Sequence, residues 1–215
     1  MLILLLVSPE PIQLLTKNYK HCTLDLSDTN QVQSFNFDTH KDAHKIYLIN
    51  NAGALGKIAH VGNQDANSII KTINLNLIAP LLMTDKFIAH YCNNECEKVV
   101  VNISSGAGKN PYDGWSTYCT TKAGIDIYSR VVDVEQKLAA KGQVRVFSIA
   151  PGVVDTQMQE DIRKAKKNEF NKIEDFINYK KSGQLLAPDL VANNFFRIFN
   201  SVTKLDRVVF SIKDY

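Results

Sequence analysis

Short, unbroken apolar runs, each separated from the next by a stretch with helical spacing, constrain this chain more than any other feature. KIYLIN (45–50), KVVVNIS (98–104), QVRVFSIA (143–150) and RVVFSI (207–212) place apolar residues at consecutive positions. A strand with one wet face alternates; a strand covered on both faces does not. Two further strands are expected at MLILLLVS (1–8), ended by Pro9 and Pro11, and at HCTLDL (21–26). Ser27 is the expected cap of the helix that follows the second of these. Helices are expected over 65–91, with Pro80 kinking it or lying near an exposed first turn, and over 115–141. In the latter, Ile125, Tyr128, Val132 and Leu138 fall near one stripe and Gly142 is the stop. The polar stretch 160–183 and the stretch 187–202, with Pro188 at its start, complete the helices. Strand, helix, strand, helix with apolar strands means an α/β domain: a Rossmann-type, doubly wound parallel sheet.

At 215 residues, one domain spanning 1–215 is expected, without repeats or a second-domain linker. The net charge of +3 is mild and the basic residues are scattered, which speaks for a solvated face and against a nucleic-acid partner. No stretch approaches the ~18 apolar residues of a membrane span. The first run has no basic segment before it and no small-residue cleavage site after it, unlike a secretory leader. Cys22, Cys92, Cys96 and Cys119 form no CxxC pair and read as free thiols of a reducing, cytoplasmic setting. His40 and His44 have ligand spacing but no third ligand, so no metal is expected.

Four segments beyond strand ends carry chemistry. Asn50, Asn51, Ala52 and Gly53 follow the strand 45–50, where ligands of open parallel sheets lie, and small residues there admit a close approach to the backbone. Ser104 and Ser105 end the strand 98–104 and offer hydroxyls, which fit a turn or cap equally. Tyr118 and Lys122 are four apart and share a helix face. An ammonium beside a phenol is expected to lower the phenol pKa toward use as an acid or base; a Tyr packed on a Lys stem is the plainer alternative. Pro151 and Gly152 turn the chain after the strand 143–150, and Thr156 adds a hydroxyl.

Taken together, NNAG, a Ser 13 residues before Tyr-x-x-x-Lys, and PG followed by Thr resemble the short-chain dehydrogenase/reductase family across essentially the whole chain. The resemblance implies NAD(P)-dependent reduction of a small-molecule carbonyl. Tyr118 would protonate the carbonyl oxygen, Ser105 would hydrogen-bond it, and Lys122 would tune Tyr118 and bind the nicotinamide ribose. Asn76, with Asn74 as the other candidate, would hold a relay water. Asn50, Ala52, Gly53, Pro151 and Gly152 would line the cofactor, Asp25 would contact adenine, and Val154 and Thr156 would hold the carboxamide. The family also implies a homodimer or homotetramer. NPYDGWSTYCTTKAG, APGVVDTQMQEDIR and VVFSIKDY are closer still to sepiapterin and benzil reductases, which act on vicinal dicarbonyls. That likeness implies NADP, with NAD not excluded, Asp214 as a substrate anchor, and Tyr112 and Trp115 as an aromatic wall; plain packing is the alternative for Trp115.

The chain departs from the family in one respect. The phosphate loop TGxxxGxG is absent, and no glycine precedes Gly53. LILLLVS matches the family's second strand, so the resemblance implies a chain about 30 residues short at its start, without the central first strand. Two expectations follow: either LILLLV pairs directly beside KIYLIN or the domain is unstable, and dinucleotide binds weakly or not at all. Glu10, after the first run, would also repel a 2′-phosphate. The competing readings are an inactive relative that works by binding or dimerising and a flavodoxin-like FMN or phosphate module, which lacks its own phosphate loop.

Overall fold

The computed structural model describes residues 4–8, 19–139, 143–202 and 205–215. Among the described residues, six strands are all parallel and fall into two sheets. β1 (Leu4–Ser8) pairs with β2 (Tyr19–Thr23), and β3 (Lys45–Asn50), β4 (Glu97–Ile103), β5 (Arg145–Ala150) and β6 (Val209–Ser211) follow in that order. The expected pairing of the first run beside KIYLIN is therefore not made. β1 bonds to β2 and β3 to β4, and among the described residues no ladder joins the two sheets. Gly142, the expected helix stop, and Glu10 lie outside the described residues.

The strand runs are apolar on both faces because each face is covered. Val100 and Val146 point to one side, where α3 (Ala79–Tyr91) brings Met83, Phe87 and Tyr91 and α4 (Ser116–Leu138) brings Val132. Leu24, Val32 and Phe35, around α1 (Thr29–Ser34), join the same core and so tie the β2 segment to the larger sheet. Val99, Val101, Phe147 and Ile149 point to the other side, against Val191 and Ile198 of α7 (Pro188–Asn200) and Phe210 of β6. Each fully buried side chain of this size contributes about 1.5–3 kcal/mol relative to exposure.

Local chemistry shifts several expected boundaries. α1 is capped by Asp28, whose carboxylate accepts from the N–H groups of Asn30 and Gln31, and not by Ser27. The region 65–91 is helical throughout but changes pitch: α2 (Ala66–Ile73) passes through a π-helical turn (Asn74–Ile78) into α3, with Pro80 in its first turn, where the missing N–H is tolerated. The polar stretch 160–183 is two helices, α5 (Gln157–Arg163) and α6 (Ile173–Lys181), because Phe170 between them turns into the core and is fully buried. Leu138, placed with the buried stripe by spacing, is exposed at the end of α4.

Candidate active site

The carboxyl ends of β3, β4 and β5 lie side by side, and the segments after them converge. Asn50 ends β3 and turns into the sheet. Its Nδ2 donates to Asn102 Oδ1 at 2.8 Å and to Thr84 Oγ1 at 3.3 Å, and Asn102 donates onward to Ser129 Oγ at 2.9 Å. Ala52 and Gly53 follow in an exposed, irregular loop. That loop is held by Asn76 in the π-helical turn. Asn76 Oδ1 accepts from Ala54 N at 2.8 Å, while its Nδ2 donates to Ala54 O at 2.7 Å and to Thr121 Oγ1 at 3.3 Å. These contacts use the side-chain amide as a two-sided clamp on the backbone of Ala54. Asn74, the other candidate, points its amide to Ser27 O, away from the loop. A Cβ at Gly53 would lie 3.4 Å from Asn76 Oδ1 and 3.7 Å from Lys122 Nζ, so the bare backbone faces both groups. At Gly56, with φ of 76°, a Cβ would sit 2.5 Å from Thr72 Oγ1, and only glycine fits.

Ser105 leaves β4 as the cap of a 3₁₀ turn (Gly106–Gly108), its Oγ accepting from Ala107 N at 3.2 Å. Tyr118 stands in the first turn of α4, buried, with Ser105 the polar side chain that acts on its phenol. Lys122 follows one turn later. Its Nζ lies 5.6 Å from the centre of the Tyr118 ring and donates to Ile103 O at 2.7 Å. Burial pulls the Lys122 pKa down to about 8, opposed by Asp126.

The phenol departs from expectation: its pKa is raised, not lowered. Burial disfavours the phenolate, and the Ser105 hydrogen bond opposes this only in part. The ammonium lies over the ring and on the Ile103 carbonyl, not on the phenol oxygen. Tyr118 is thus a protonated phenol at neutral pH, suited to giving a proton.

After β5, Pro151 and Gly152 turn the chain, with Gly152 at φ of 81°. Val154 forms a bridge with Leu186, in which Leu186 N donates to Val153 O and Asp155 N donates to Leu186 O. The N–H of Val154 itself meets no partner among the described residues. Thr156 precedes α5, exposed, its hydroxyl donating to Val154 O at 3.4 Å. Asp25, beyond β2, accepts from Ser27 N and Oγ, and these bonds lower its pKa.

Two residues offered for substrate also make contacts within the chain. Trp115, 6% exposed, stacks on Tyr112 at 4.8 Å and on Phe170 at 4.9 Å, the plain packing that is its alternative reading. Asp214 caps the last turn, its Oδ2 accepting from Ser211 N at 2.9 Å. The space beside the site is instead a cavity of about 520 Å³ between the Gly53–Gly56 loop and α5, lined by Leu55, Ile58, Met158, Asp161 and Lys164. Met158 and Asp161 fall within APGVVDTQMQEDIR, but only tertiary packing brings them beside Leu55 and Ile58. Among the described residues no group of side chains could hold a metal, and no helix is long and apolar enough to cross a membrane.

The family model described as short chain dehydrogenase matches residues 8–167. A benzil reductase ((S)-benzoin forming) of Bacillus cereus is 39% identical over 176 residues, covering 79% of this chain and 70% of its own. A sepiapterin reductase of Xenopus laevis is 34% identical over 121 residues, covering 55% of this chain and 44% of its own. A short chain dehydrogenase/reductase structure from Saccharomyces cerevisiae superposes with a TM-score of 0.82 at 21% identity, over 98% of this chain and 85% of that one, a likeness of fold. A parallel sheet whose strand ends gather a Ser, a Tyr and a Lys is the arrangement that this match leads one to expect, and the chain belongs to the short-chain dehydrogenases, a family of oxidoreductases.

Proposed function

We propose that this chain reduces one carbonyl of a vicinal dicarbonyl, with NADPH preferred to NADH and Tyr118 as the proton donor. One observation carries the reading: Tyr118 lies buried at the start of α4, with the Lys122 ammonium one turn away over its ring, beside a cavity. The family's reductant is a nicotinamide dinucleotide. The residues fit its nicotinamide end. Lys122 is a buried ammonium with three donors, of which one meets an acceptor among the described residues, and it faces the bare backbone of Gly53. When bound, the dinucleotide supplies hydride to the carbonyl carbon. Ser105 donates to the carbonyl oxygen and Tyr118 delivers the proton there. Lys122 binds the ribose hydroxyls, Val154 N–H and Thr156 hold the carboxamide, and Asn50, Ala52, Pro151 and Gly152 wall the site. Asn76 fixes the wall by its clamp on Ala54. The preference for NADPH rests on the likeness to benzil and sepiapterin reductases.

Incubation with benzil and NADPH is expected to consume NADPH and yield the hydroxyketone. Consumption no faster than with Tyr118→Phe would overturn the reading. With no glycine before Gly53 to cradle a pyrophosphate, fluorescence titration is expected to give half-saturation by NADPH above the micromolar range.

The working unit is proposed to be a homodimer. Ile127, Val131, Val134 and Leu138 are exposed along one stripe of α4, at spacings of four, three and four. An apolar stripe of this kind is closed by a second copy of itself. Val131→Asp with Val134→Asp is expected to convert a dimer into a 24.1 kDa monomer by light scattering after size exclusion. A monomeric parent protein would remove the proposal. Dimerisation without turnover would favour the other reading, a member that works by binding.

A further inference from the structure

Asp126 lies on α4 one turn beyond Lys122 and two turns beyond Tyr118, on the same face. It is 6% exposed, a position that carboxylates rarely occupy without a partner. One oxygen accepts from Ser148 Oγ of β5 at 2.6 Å. The other lies against Gly108, where an added Cβ would sit 2.8 Å from Asp126 Oδ2 and 2.9 Å from the Lys122 carbonyl. Gly108 closes the turn that Ser105 opens, its N–H donating to Ser105 O at 3.0 Å. A single carboxylate thus touches β5 and the Ser105 turn from the helix that carries Tyr118 and Lys122.

Lys122 itself is 5% exposed. β4 offers it the carbonyl of Ile103 and the 51–56 loop the backbone of Gly53, neither of them ionisable. On α4 it lies over the Tyr118 ring, and the Asp126 carboxylate one turn on acts on it through space. Among the described residues, Asp126 is the one negative charge acting on this ammonium.

We propose that Asp126 is a positioning residue of the site: the buried counter-charge that keeps Lys122 an ammonium and the packing contact that sets the Ser105 turn against α4. The inference rests on the proposed roles of Tyr118 and Lys122. It adds a residue that makes no contact with substrate or cofactor and acts through both. Desolvation alone would drive Lys122 toward the neutral amine; a negative charge one turn away opposes it. A neutral Lys122 would withdraw the positive field from the phenol as its proton leaves.

The test follows Lys122 by the NMR shift of its ε-carbon through a pH titration, with the resonance assigned by Lys122→Arg. Asp126→Asn keeps the shape and removes the charge. The midpoint is expected to fall by about one unit or more from the parent value, a tenfold change in the ammonium-to-amine ratio at fixed pH. Asp126→Ser, a second neutral variant that relieves the contact with Gly108, is expected to show the same fall. Asp133→Asn, which removes a charge farther along the same helix, is expected to leave the midpoint in place. An unchanged midpoint in whichever neutral variant folds overturns the proposal, as does an equal fall in Asp133→Asn. Where reduction is measurable, the alkaline fall in kcat moves down with the midpoint while KM for the diketone holds. A parent protein without turnover would sink the functional reading and leave the NMR result to decide this one.

Discussion

Replacing Tyr118 by Phe is expected to lower carbonyl reduction by about 10²- to 10⁴-fold, the range set by loss of a positioned proton donor. The ring stays, and with it the edge-to-face contact with Trp115 at 5.9 Å and the place of Lys122 over its face. Only the hydroxyl is lost, so stability is expected to change by about 1 kcal/mol or less. Steady-state rates and thermal unfolding of the same preparation check both halves. Reduction undiminished in the variant would remove Tyr118 from the chemistry.

The pH dependence has a definite sign. Because burial raises the Tyr118 pKa above its ordinary value of 10.0, the phenol is protonated through neutral pH and reduction is not limited there by its ionisation. Reduction weakens only as the solution becomes alkaline, first as Lys122 loses its proton near its pKa of about 8 and then as the phenol ionises. The same shifts act on folding. Lys122 has a folded pKa below its unfolded one, so its contribution to stability is full above the unfolded value and is lost as pH falls through the folded one. The buried ammonium is therefore a stability cost at neutral pH, and its presence beside Tyr118 is better explained by chemistry than by packing.

Phe170→Ala is expected to destabilise the protein by about 3–5 kcal/mol, against the 5–15 kcal/mol typical of a whole domain. The Phe170 ring is fully buried, stacked on Trp115 at 4.9 Å and set against Phe176 at 5.4 Å. It also pulls the segment between α5 and α6 under the site, where Asn171 N donates to Asp113 Oδ2 at 2.7 Å. Removing it takes the support from beneath Met158 and Asp161 of the cavity wall. Urea unfolding would register the loss as a lower midpoint at unchanged slope. A loss under about 1 kcal/mol would show that the segment collapses to fill the gap.

The strands of the larger sheet were legible because the Val runs of β4 and β5 need cover on both faces, and the ends of β3, β4 and β5 fell within two residues of their expected positions. The placement of the candidate residues was legible for the same reason: Ser105 and Tyr118-x-x-x-Lys122 follow strands whose direction was already implied. The division of 160–183 was not, since Phe170 breaks the helix only through a core formed by distant residues. Nor was the π-helical turn, which depends on the amide of Asn76 finding Ala54. The direction of the Tyr118 shift escaped because spacing reveals a neighbouring ammonium but not the desolvation that outweighs it. Asp126 could have been found, since eight residues from Tyr118 returns to the same helix face.

The covered indole has an optical consequence. Trp115 is the single tryptophan of the chain, and its Nε1 is buried without a hydrogen-bond partner among the described residues. An indole so enclosed emits at short wavelength, and all tryptophan emission comes from this one ring. Its colour thus reports on the aromatic stack beneath α5 and α6 and on nothing else, giving a label-free view of how that lobe responds when the cavity beside it fills.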